Sequence, residues 1–79
     1  MQYKLDICYE SFKKPAIEID IVSESWPQAI EQAKKYSNKK GILSVRIKRD
    51  RQPYKFDNYS DRINAITIQY GVIVENEII

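Results

Sequence analysis

Seventy-nine residues, 13 of them Lys or Arg against 11 Asp or Glu for a formal charge of +2, suffice for one hydrophobic core and not for two. A 43% hydrophobic fraction that includes one Trp, six Tyr and two Phe argues against disorder. No apolar run approaches the ~20 residues of a membrane-spanning helix. Histidine is absent and Cys8 is the single cysteine, which removes the commonest general acid–base and leaves too few ligands for a structural zinc site.

Residues 2–9, QYKLDICY, alternate strictly, with Tyr3, Leu5, Ile7 and Tyr9 on one face and Gln2, Lys4, Asp6 and Cys8 on the other. Residues 16–22, AIEIDIV, repeat the pattern with Ile17, Ile19 and Ile21 inward. A period of two over this length predicts two half-buried strands, joined as a hairpin through ESFKKP. In SWPQAIEQAKKYSN, Ser25 is the expected N-cap, Gln28 completes a capping box and Pro27 sits in the first turn. Trp26, Ala29, Ile30, Ala33 and Tyr36 form the apolar stripe of a helix, and Asn38 to Gly41 supply its left-handed stop.

Residues 42–49, ILSVRIKR, return to alternation, with Leu43, Val45 and Ile47 expected inward and Ser44, Arg46 and Lys48 outward. The first strand then fits between the second and third, antiparallel to both. Residues 54–56, YKF, are a candidate short edge strand after the turn at Pro53. Ser60 is a candidate cap for a helix through Ile63 and Ile66, but the β-branched alternation of AITIQYG favours a strand. Gly71 then marks a bulge or turn before VIVENEII. The expected fold is a single α+β domain: a small mixed or antiparallel sheet of four or five strands, ββαββ-like, with one helix packed on one face.

Candidate chemistry is sparse. Cys8 lacks an activating base in the sequence, and Asp6, Glu18 and Asp20 share their face with Lys4, Arg46 and Lys48, as ordinary cross-strand charge pairs do. The only glycines, Gly41 and Gly71, form no phosphate-binding loop. An enzyme is not expected, nor is a cofactor or a metal.

The charge distribution carries more information. Residues 34–55 hold nine of the 13 basic residues and one acid, Asp50, for a local charge of +8, whereas residues 1–31 and 57–79 each sum to −3. Lys34, Lys35, Lys39 and Lys40 fall at the helix end and read as a solvated, dipole-complementing terminus. Arg46 and Lys48 are expected on the open sheet face, with Arg49, Arg51 and Lys55 beyond the far end of the strand. Tyr54, Phe56 and Tyr59 lie beside that end, placed to stack on bases or on the side chains of a partner. The expected partner-binding residues are Arg46, Lys48, Arg49, Arg51, Tyr54, Lys55 and Phe56.

The run of two strands, the helix SESWPQAIEQAKKYS and the strand SVRIKR resembles the core of certain anti-CRISPR inhibitors of type I surveillance complexes, which are small phage and mobile-element proteins. The resemblance covers roughly residues 16–49. It implies a non-catalytic protein that occupies the nucleic-acid-binding surface of a host nucleoprotein complex, with Arg46, Lys48, Arg49 and Arg51 as contacts. An Ile-, Lys-, Asn- and Tyr-rich composition, typical of AT-rich coding sequence, points to a phage, plasmid or AT-rich bacterial source. A cytoplasmic location in the host is expected, since the lone thiol and the polar start MQYKLD fit a reducing compartment and no leader. The alternative is a small nucleic-acid-binding protein using the same basic stripe. No membrane partner is expected, and a homodimer through the apolar C-terminal strand is a third arrangement to test.

Overall fold

Alternating side chains set the first strand, which lies inside the sheet with a neighbour on each side. The computed structural model describes residues 2–50 and 59–79. Strand β1 (Gln2–Tyr9) pairs antiparallel with β2 (Ile17–Val22) on one side and with β3 (Ile42–Arg49) on the other. Strands β4 (Ile63–Gln69) and β5 (Val72–Ile78) continue the sheet, giving the order β2-β1-β3-β4-β5 with every pairing antiparallel. Helix α1 (Trp26–Ser37) crosses from β2 to β3, and a four-residue helix α2 (Tyr59–Arg62) precedes β4. The expected single helix is therefore two, and the sheet is antiparallel throughout. Ile63 and Ile66 lie in β4, as the β-branched alternation favours, and not in a helix capped by Ser60: the helical turn ends at Arg62 and includes Ser60.

One face of the sheet holds the core. Tyr3, Leu5, Val45, Ile47, Ile66 and Ile68 are almost fully buried there, beneath Trp26, Ala29 and Ala33 of α1. Each large aliphatic side chain so buried contributes about 1.5–3 kcal/mol. Tyr3 meets Trp26 edge-on, with ring centroids 5.0 Å apart. The small Ala29 and Ala33 let the helix backbone lie close to the sheet, and α1 packs chiefly over β3 and β4. Consequently the helix side of β2 is only partly covered: Ile21 is buried, Ile19 half-buried and Ile17 exposed.

Three local expectations are corrected. Leu43 was expected inward, but a bulge in the β1–β3 pairing sets Tyr9 opposite Ile42 and Cys8 opposite Ser44, so Ile42 is buried and Leu43 is 40% exposed. Ser25 sits at the N-cap with extended backbone but makes no side-chain cap bond. Instead, the Gln28 Oε1 accepts from the Glu24 amide at 2.7 Å and from the Ser23 hydroxyl at 2.9 Å. At the other end Asn38 is right-handed, and the positive φ that ends the excursion belongs to Gly41.

The β4–β5 connection is a two-residue turn in which Tyr70 (φ 50°) and Gly71 (φ 80°) both lie in the left-handed region, the form that matches the twist of a hairpin. The Gly71 amide donates to Ser37 Oγ at 3.0 Å, and that hydroxyl donates to the Lys34 carbonyl at 2.9 Å. The buried Ser37 thus ties the last turn of α1 to the distal hairpin. Among the described residues no helix is long and apolar enough to cross a membrane.

Candidate functional site

On the open face of the sheet the strand register lays out two charged rows. One runs Asp20, Lys4, Lys48, Ala65, Glu77 across the five strands, and the other runs Glu18, Asp6, Arg46, Thr67, Glu75. Some like charges fall directly opposite one another, and diagonal contacts offset them. Lys48 Nζ lies 3.0 Å from Glu18 and 3.3 Å from Asp6. Lys4 Nζ lies 3.3 Å from Glu18, 3.6 Å from Asp50 and 3.9 Å from Asp20. Arg46 reaches across β4 to Glu77 at 2.6 Å, and its other terminal nitrogen is 3.8 Å from Asp6. Lys48 is the largest influence holding the Glu18 carboxyl down to about 2, with Asp6 and Lys4 adding to it; hydrogen bonding to carboxylates raises Lys4 and Lys48.

Three cations therefore answer five carboxylates in this network, so the face is not a positive stripe. Arg46 and Lys48 are brought together, as expected, but each is already engaged. Arg49, expected beyond the end of the strand, is its last residue and turns to the helix side. Its guanidinium stacks 5.3 Å from the Trp26 ring and donates to the carbonyls of Ser60 and Asp61. Arg51, Tyr54, Lys55 and Phe56 lie outside the described residues, as does the candidate strand at 54–56.

Lysines without an ion-pair partner among the described residues gather at the opposite end of β3, where the β1–β2 loop, which also carries the exposed Glu10, meets the loop after α1. The Glu10 amide donates to the Gly41 carbonyl at 2.9 Å and joins the two loops. Among the described residues no carboxylate lies within ion-pair distance of Lys13, Lys14, Lys39 or Lys40. Lys14 Nζ lies 5.2 Å from the centre of the Tyr9 ring and Lys39 Nζ 4.7 Å from that of Tyr36. Phe12, at the tip of the loop, is 93% exposed.

Between these loops and β2 lies a groove of about 360 Å³, next to the Ile17–Ile19 end of β2 that α1 leaves incompletely covered. Ile7, Ile17, Ile19 and Ile42 give it an aliphatic lining, with Tyr9, Tyr36, Lys39 and Lys40 completing it. Sequence reasoning assigned KKYSNKK to a solvated helix end and passed over SFKKP. A usable signal was present: both segments are basic and aromatic, and a strand–helix–strand crossover returns them to the same end of the sheet. Compared with known proteins, the chain matches no family model, no characterised sequence and no solved structure.

Proposed function

We propose that this chain is a non-catalytic binding protein of the anti-CRISPR-like kind, acting in the host cytoplasm by covering part of a nucleoprotein complex. The observation that supports this reading best is the group of Lys13, Lys14, Lys39 and Lys40, without an ion-pair partner among the described residues, beside the exposed Phe12 and the half-buried Tyr9 and Tyr36. Such a surface attracts an anionic partner and offers ring area for anchoring once contact is made. Arg46 and Lys48 rank second as contacts, because a partner must displace their carboxylates. Arg51, Tyr54, Lys55 and Phe56 stay in the proposal as residues that follow β3 in the sequence.

The test is capture from host lysate with two charge-reversed variants, Lys13→Glu/Lys14→Glu/Lys39→Glu/Lys40→Glu and Arg46→Glu/Lys48→Glu. The first is expected to lose the partner taken by the wild type and the second to retain most of it. Unchanged capture by the first variant overturns the surface assignment. Direct nucleic-acid binding is the alternative reading, favoured by the same lysines. It requires a retarded DNA or RNA band whose log affinity falls linearly with log salt, as counterions are released.

A homodimer through β5 also belongs to this reading. Val72, Ile73, Val74 and Ile78, all at least 43% exposed, lie on an edge strand without lysine or proline. Antiparallel self-pairing would cover that edge and close on itself after two copies.

A further inference from the structure

The groove beside β2 combines three features that together select one class of ligand. Its four isoleucines accept a branched apolar side chain, and the polar part of the lining, Tyr9, Tyr36, Lys39 and Lys40, stands around them. Lys39 and Lys40 at its margin, with Lys14 over Tyr9 beside it, favour carboxylates next to that side chain. Strand β2 is an outer strand of the sheet, so its free backbone edge borders the groove and offers amides and carbonyls to an extended chain. An acyl chain can use the first two features and not the third.

We infer that this groove is a docking site for an acidic, extended peptide segment of a partner protein, which adds to the edge of β2 and lays one aliphatic side chain against Ile17 and Ile19 at the outer side of the groove. The segment's carboxylates belong on the groove side, two residues either way from the anchor, because alternate residues of a strand share a face. On the other side Glu18 and Asp20 already stand along β2, which disfavours acids there and admits neutral or basic residues. The recognised pattern is acid–x–aliphatic–x–acid, with x not acidic.

This inference rests on reading the lysine-bearing end as the partner surface, but its test is separable. A short peptide needs only the groove, whereas capture from lysate needs the whole partner, so either can fail alone. The capped peptide Asp-Thr-Ile-Thr-Asp is titrated into the isotope-labelled full chain and followed by amide NMR. The expected result is saturable shifts at Ile17, Ile19, Lys39, Lys40 and Ile42. Replacing the peptide's Ile by Ser should weaken binding at least about tenfold, the factor expected for losing one buried aliphatic side chain. The variant Lys39→Glu/Lys40→Glu should weaken it as well, and Ile17→Ser, which alters one exposed side chain, serves if that variant does not fold. Silence at these amides with millimolar peptide overturns the inference, as does an equal response to the Ser peptide. A stronger response of the same amides to oligothymidylate would reassign the groove to nucleic acid, and one to dodecanoate would reassign it to acyl chains.

Discussion

Lys48 shows how a residue that reads as a binding cation becomes a structural one. The register sets Asp6 opposite Glu18, an unfavourable pairing, and the Lys48 ammonium sits within 3.3 Å of both. Its charge is therefore needed inside the sheet face. Because Lys48 first, then Asp6 and Lys4, hold Glu18 down to about 2 when folded, the associated stability is complete above the ordinary carboxylate range near pH 4.5 and disappears as pH falls toward 2. Thermal melts across that window should show a Tm that declines with acid, and Glu18→Gln should remove part of the decline. A Glu18→Gln profile parallel to wild type would contradict the ion-pair account. The complementary effect lies at high pH: the raised Lys4 and Lys48 stabilise the fold below their ordinary range near 10.5, and that contribution fades as pH climbs past it. The alternation made these residues legible as one face, and their mutual neutralisation was legible in type. Which cation answers which carboxylate was not, because the diagonals depend on the stagger between strands.

At the scale of elements, local chemistry was a good guide wherever a single period governed. Strand β1 and helix α1 match their sequence patterns because apolar periodicity and the sheet's demand for burial agree. Strand β3 departs at its first two residues, since the bulge opposite Tyr9 shifts the phase and exposes Leu43. The distal turn shows a different limit. Gly71 was legible as a turn residue, but its φ of +80° and the Asn38 side chain 2.9 Å from where a Cβ would stand are tertiary facts. Gly71→Ala should therefore destabilise the protein by at least about 1–2 kcal/mol, the penalty of a left-handed alanine. Tyr70, also left-handed and largely exposed, has the opposite expectation. Asn-Gly is the favoured pair for such a turn, so Tyr70→Asn should stabilise by about 0.5–1 kcal/mol. Denaturant midpoints of the two variants check both signs, and a stabilised Gly71→Ala would refute the turn assignment.

At the scale of the whole molecule, the two edges of the sheet differ in kind. The β2 edge borders an apolar groove with lysines at its margin, whereas β5 exposes aliphatic side chains with two glutamates among them. Both edges follow from the placement of one helix, which covers the middle of a five-stranded sheet and neither side strand fully. Self-association is expected to use β5. Light scattering should report a mass that rises with concentration, and Val74→Lys should return it to that of a monomer, since a lysine on an edge strand opposes pairing. A wild-type monomer at high concentration would count against the homodimer. The strand order β2-β1-β3 was legible from connection rules, while the addition of β4 and β5 beyond β3 depended on long-range pairing.

The sequence by itself determined an α+β domain, the helix and its buried stripe, the inward residues of β1 and the uneven distribution of charge. These are local properties, set by side-chain period and by the chemistry of short segments. Tertiary structure alone decided which basic residues stay unneutralised. Folding places the charges of VRIKR among carboxylates from β1, β2 and β5 or against Trp26, and it leaves the lysines of SFKKP and SNKK together without described counterions. Charge neutralisation depends on distances across strands, and residues far apart in the chain set those distances.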